Sequence, residues 1–140
     1  MKFVSLLICA VLLTLTCAHD FEDCLKGKGS VVMLNMDIYP DPAIMGEVNS
    51  VNYTYRQSKK IDYGDCVRTA YLSVIPLLKL TADFCEGGIC PQEPGTYNGS
   101  FAIGKDDYIP EGNFRIESIC YNRNKVQFWC TSFNMSVVKK

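Results

Sequence analysis

"SVVMLNMDIYP", residues 30–40, decides the fold class. Val32, Leu34, Met36 and Ile38 alternate with Asn35 and Asp37, and a period of two puts each set on its own face of an extended chain. "VNYTYRQ", residues 51–57, repeats the pattern, with Val51, Tyr53 and Tyr55 set against Asn52, Thr54 and Arg56. β-Branched and aromatic residues at the apolar positions suit half-buried strands.

Working outward, further strands are expected over about residues 66–75, 79–85, 96–103, 113–121 and 126–138. "PDPAIMG", "KKIDYGD", "CPQEPG", "GKDDYIPEGN" and "NRNK" fall in the gaps, where Gly, Pro and Asn supply turn geometry. No long segment carries a helical period. Seven strands at regular spacing point to an all-β, immunoglobulin-like sandwich of two antiparallel sheets.

The chain opens with "MKFVSLLICAVLLTLTCA", residues 1–18. One positive charge at Lys2, an apolar run from Phe3 to about Leu15 and the small Ala18 have the form of a secretory signal peptide cleaved after Ala18. A transmembrane anchor needs about 20 apolar residues, and this run breaks first into "AHDFED". A single soluble domain over residues 19–140 is therefore expected, 122 residues with 13 basic and 15 acidic side chains once Lys2 is removed. A small negative charge without a basic cluster argues against nucleic acid as a partner.

Cys9 and Cys17 leave with the signal, and Cys24, Cys66, Cys85, Cys90, Cys120 and Cys130 remain. An even set in an oxidising compartment is expected to form disulfides. "DFCEGGICPQEPG", residues 83–95, tests that reading locally. Zinc would want further Cys or His pairs nearby, and the sole histidine is His19, at what would be a flexible N-terminus. A redox pair is more often C-x-x-C beside a helix, whereas Gly87, Gly88 and Pro91 favour a tight non-helical turn. A staple between Cys85 and Cys90 is the better reading.

In an immunoglobulin-like layout the third, sixth and seventh strands are neighbours. Cys66 begins the third and Cys120 ends the antiparallel sixth, so these two can meet. Cys24 and Cys130 are then left for each other, closing a loop for which chain entropy supplies roughly 4–5 kcal/mol. Six cysteines allow 15 pairings, and strand layout alone does not close the choice.

Three sequons, at Asn52, Asn98 and Asn134, fall opposite the apolar positions of their strands. That is where a glycan must point.

"DFEDC" near the mature start, "PDP" before a glycine, "DFCEGGICP" followed by "PGTY", then "IPEGNFRI" and a final "WCTSFNMSV" together resemble the ML lipid-recognition family across the whole mature chain. The "PDP" and "IPEGNF" elements are most similar to its phosphatidylglycerol/phosphatidylinositol transfer branch. The resemblance implies two sheets splayed around lipid tails, a first-to-last-strand disulfide and a short C-x4-C-P disulfide. Cys66 and Cys120 depart from the hairpin pair of the family's sterol carriers, which weakens any transfer of sterol-specific residues.

A lipid carrier has to offset on the order of 12 kcal/mol for a 16-carbon chain in water, at about 0.8 kcal/mol per methylene. A dry apolar cavity whose lining holds no unpaired charge does this without cofactor or metal. Inward candidates are Leu34, Met36 and Ile38, then Val51, Tyr53 and Tyr55. Tyr97, Phe101, Ile103, Phe114 and Ile116 follow, and Phe133, Met135 and Val137 complete the set. The same alternation also describes a solid core, so only the resemblance favours a cavity. At the mouth, "SVIPLLKLTADF" supplies Ile75, Leu77 and Leu78, and "DDYIPEG" supplies Tyr108 and Ile109, apolar side chains suited to transient contact with a membrane surface. Lys79 and Lys105 stand ready for an anionic headgroup.

No Ser–His or Cys–His pair can be assembled from one terminal histidine and six paired cysteines, so no catalytic residue is expected. The expected function is non-catalytic intermembrane transfer of a phospholipid by a monomer, secreted or delivered to the lysosomal lumen. A sterol carrier of the same fold and a solid-core immunoglobulin-like binding module are the alternatives.

Overall fold

The computed structural model describes residues 19–103 and 109–140. The expected signal peptide, Lys105 and Tyr108 lie outside them. Seven long strands match the seven expected: β2 (Val31–Tyr39), β4 (Asn49–Gln57), β5 (Asp65–Leu72), β6 (Ile75–Asp83), β7 (Gly95–Ile103), β8 (Gly112–Tyr121) and β9 (Gln127–Val138). Two short ones, β1 (Phe21–Asp23) and β3 (Ala43–Ile44), both pair with β9. One turn of 3-10 helix, Glu86–Gly88, lies between β6 and β7.

The strands form two sheets, β1-β9-β8-β5-β6 with β3 also on β9, and β2-β4-β7. β5, β8 and β9 are neighbours, as the sandwich layout requires, and β6 extends the larger sheet as its far edge.

The β5–β6 connection corrects the expected boundary. Rather than a loop around Pro76, Leu72 pairs with Ile75 across a two-residue turn, with Ser73 at φ 57°. Pro76 sits within β6, which is tolerable because an edge strand has one side on which an N–H is not needed. β2 holds the second correction. A bulge between Met33 and Asn35 breaks its register with β4, so Val31 and Met33 face inward before it and Met36 and Ile38 after it. Leu34, expected inward, is the extra residue and stands 44% exposed on the outer side, because a bulge shifts the parity of every residue beyond it.

Three disulfides join Cys24 to Cys130, Cys66 to Cys120 and Cys85 to Cys90. Cys66 and Cys120 are register partners on adjacent strands and face the interior. His19 is not a loose end. Its N–H donates to the Met36 carbonyl at 2.9 Å, its ring nitrogen bonds the Asn134 carbonyl, and its ring meets Phe133 edge-on.

The core is not uniform. Where β2 and β4 face β8 and β9, Met36, Ile38, Val51, Phe114, Phe133, Met135 and Val137 are all buried. On the other side the interior-facing residues of β7, Tyr97, Gly99, Phe101 and Ile103, are only half-buried. The sandwich is solid along one side and open along the other.

Candidate functional site

The opening follows from the topology. β7 is the free edge of the small sheet and β6 the free edge of the large one, and neither pairs with the other. Two spaces lie along this side. A cleft of about 380 Å³ runs between Tyr53 and Tyr55 of β4, Cys66 and Arg68 of β5, Ser118 and Cys120 of β8, Trp129 of β9, and Gly99 and Phe101 of β7, with Asp83, Phe84 and Glu86 also in its lining. That reaches the lower end of the roughly 300–1,000 Å³ typical of ligand sites. An apolar pocket of about 70 Å³ adjoins it, lined by Ala70, Leu78, Leu80, Phe101, Ile103, Ile109 and Ile116, with Arg68 as the one charged residue among the described residues of its lining.

Arg68 and Phe101 belong to both walls. The Arg68 guanidinium lies 4.1 Å from the Phe101 ring centroid, so a cation–π stack reaching from one sheet to the other divides the two spaces. A hollow of about 560 Å³ around Asp65, Val67, Thr81, Asp83 and Lys125 is larger. It draws on the outward residues of β5 and β6 and is crossed by the Lys125–Asp65 ion pair at 3.6 Å, so it is surface rather than interior.

The cleft has an aromatic wall. The Trp129 ring lies 5.2 Å from that of Tyr55 and 5.8 Å from that of Tyr53. Trp129 Nε1 donates to Thr131 Oγ1 at 2.7 Å and the Tyr55 hydroxyl donates to Gln92 Oε1 at 3.0 Å. With these polar ends satisfied, ring faces are left for apolar contact. Burial raises the Tyr53 pKa against the opposing influence of Arg68, and burial also raises that of Tyr55. Both stay neutral hydroxyls.

Arg68 corrects the expectation of a lining without unpaired charge. Its register partners are Ser118 on β8 and Leu80 on β6, and among the described residues it has no ion-pair partner. Burial pushes its pKa down, with Tyr53 and Glu86 opposing, yet a guanidinium keeps its proton in proteins.

Of the expected inward residues, Tyr53, Tyr55 and Phe101 line the cleft, and Phe101, Ile103 and Ile116 line the apolar pocket. Tyr97 packs against the core, its hydroxyl donating to the Glu93 carbonyl at 2.7 Å. Met36, Ile38, Val51, Phe114, Phe133, Met135 and Val137 fill the solid side, and Leu34 faces out. At the expected mouth, Ile75 and Leu77 are exposed while Leu78 lines the apolar pocket. Ile109 is buried at 8% exposure, not at the rim. It turns back between the sheets, where full burial of such a side chain is worth about 1.5–3 kcal/mol. Lys79 is exposed on β6, and Asn52, Asn98 and Asn134 are exposed as their alternation requires.

Arg68, Phe84 and Trp129 were missed by alternation alone. For Arg68 a signal existed: if Cys66 bridges on the inner face, the residue two positions on shares that face.

Fold and cleft together define a disulfide-stapled two-sheet sandwich whose interior opens along one side. The ML domain family model matches residues 18–137, and this chain belongs to the ML domain family. Two Dictyostelium discoideum proteins, named as candidate phosphatidylglycerol/phosphatidylinositol transfer proteins 3 and 1, are 23% identical over 124 residues and 24% over 128. Each alignment covers 86% of this chain and 82% of the relative. Among solved structures, a Niemann-Pick type C2 protein from the Japanese carpenter ant superposes with a TM-score of 0.62 at 17% identity, covering 85% of this chain and 99% of that one. Chicken MD-1 complexed with lipid IVa gives 0.59 at 14%, covering 83% and 86%. At these identities the shared feature is the fold.

Proposed function

We propose that this chain is a non-catalytic lipid carrier that holds one phospholipid between its sheets and passes it between membranes as a monomer. The observation that carries this reading is the cleft and apolar pocket along the open β6–β7 side. Next to them the β5–β6 turn exposes Val74 at 84% and Ile75 at 60%, an apolar tip suited to a bilayer surface. The names of the two Dictyostelium relatives support phosphatidylglycerol or phosphatidylinositol as the cargo class, and the lipid in the MD-1 structure supports ligand uptake by this fold. Three disulfides and three exposed sequons suit a glycoprotein of the secretory route.

Native mass spectrometry of the secreted protein, with lipid identification after organic extraction, tests the reading. A one-to-one adduct of phospholipid mass is expected. A sterol mass would transfer the cargo to the sterol class. A bare protein that also takes no fluorescent phospholipid from vesicles would leave a binding module and remove the carrier.

A further inference from the structure

We propose that Arg68 is an anion-binding residue inside the sandwich: it receives the acidic group, carboxylate or phosphate, of an amphiphile whose chain runs past Phe101 into the apolar pocket. The inference rests on the carrier reading for the presence of a lipid, and adds where its charged end sits.

Position comes first. Arg68 stands on the inner face of β5 between the cross-strand neighbours Ser118 and Leu80, half-buried and without an ion-pair partner among the described residues. A charge held there is expensive unless a ligand completes it. The Arg68 guanidinium lies over the Phe101 ring at 4.1 Å, a contact that uses none of its N–H groups as hydrogen bonds and so leaves donors for a carboxylate or phosphate oxygen.

The surroundings give the ligand a direction. On one side of the Arg68–Phe101 pair lies the cleft, with Tyr53, Ser100 and Ser118 among its polar residues. On the other side lies the small pocket, which among the described residues has no acidic one and is lined by Leu78, Leu80, Ile103 and Ile109. An acidic head at Arg68 with its chain on the aliphatic side satisfies both. Asp83 and Glu86 also line the cleft. They oppose additional negative charge near the mouth, so the site favours a singly charged head. The pocket holds only about 70 Å³, so the chain enters by parting the stack. Phe101, half-buried on an edge strand, is the wall residue whose displacement would join the pocket to the cleft.

The test compares binding to the secreted protein of a long-chain fatty acid, the alcohol of the same chain length, and the matching lysophosphatidylglycerol. Trp129, the sole tryptophan, lines the cleft and reports occupancy by fluorescence. At least one acidic probe should bind roughly ten- to hundredfold tighter than the alcohol, the range for a hydrogen bond to a charged group. Arg68→Met should abolish that preference, the acidic probes then binding no tighter than the alcohol, and Arg68→Lys should keep part of it. Preference for the fatty acid alone assigns a free carboxylate; preference for the lysophospholipid alone assigns a headgroup phosphate. Alcohol bound as tightly as both acids, or a preference that survives in Arg68→Met, overturns the assignment of Arg68 and leaves the carrier standing. Failure of all three probes and of phospholipid removes both. Should Arg68→Met not fold, the wild-type acid-to-alcohol ratio and Arg68→Lys decide.

Discussion

Gly99 on β7 stands directly opposite Tyr53 on β4, so close that a Cβ on Gly99 would come 2.5 Å from the Tyr53 ring. The missing side chain leaves the ring room to lie against β7 and form the cleft wall. Gly99→Ala therefore acts on the cleft more than on the fold. The contacted atoms are the far end of a side chain, so the ring yields at about 0.5–1.5 kcal/mol for an off-rotamer position. Displaced from β7, the ring is pushed into the cleft that it lines and narrows it. Lipid uptake should fall several-fold with a small change in Tm, and adding Tyr53→Leu should restore uptake.

The three disulfides should separate by loop length. Cys24 and Cys130 are 106 positions apart, whereas Cys85 and Cys90 are 5 apart. Chain entropy then assigns about 5 kcal/mol to the first and about 2 kcal/mol to the second. Urea denaturation of the paired Cys→Ala variants should show a gap of roughly 2–3 kcal/mol in that order. Equal losses would mean that strain or residual structure in the unfolded chain, not loop closure, sets their contribution.

β2 shows where the sequence stops being legible. Period two revealed a strand, and from Met36 onward it also revealed the right face. In "VVML" every residue is apolar, so alternation carries no phase there and nothing marks the bulge. The consequence is measurable. Leu34→Ser should change stability by no more than about 0.5 kcal/mol, as expected for an exposed position. Ile38→Ala should cost about 2–5 kcal/mol because it opens a cavity in the solid side of the core. Chemical denaturation of both variants checks the parity directly.

The candidate site was legible in its walls but not in its charge. Tyr53, Tyr55, Phe101, Ile103 and Ile116 followed from alternation because each is apolar and inward. Arg68 did not, since a polar residue in a strand is ordinarily assigned to water. Only the inward Cys66–Cys120 bridge, two positions away, fixes its side. Nor could alternation say which inward residues fill the core and which border space. That division depends on which strands are left as free edges, β7 in the small sheet and β6 in the large one, an outcome of tertiary arrangement that no local pattern encodes.

The β5–β6 turn carries the last prediction. Val74, Ile75 and Leu77 are exposed, and the neighbouring residues Ala70 and Leu78 line the apolar pocket, so a membrane docked on this tip meets the end of the sandwich where a lipid chain would enter. Full burial of such side chains is worth about 1.5–3 kcal/mol each, and a charge at the tip removes that gain. Val74→Asp with Ile75→Asp should reduce vesicle association tenfold or more, with a parallel fall in transfer rate. Folding stability should change little, because neither side chain is packed, and affinity for a soluble short-chain lipid should be unchanged. Val126 is also exposed but belongs to the β8–β9 turn at the opposite end of the strands. Val126→Asp should leave both vesicle association and transfer intact. Equal effects from the two ends would mean that net charge, not docking of this turn, governs the membrane encounter, and a tip variant that transfers normally would move the docking surface elsewhere.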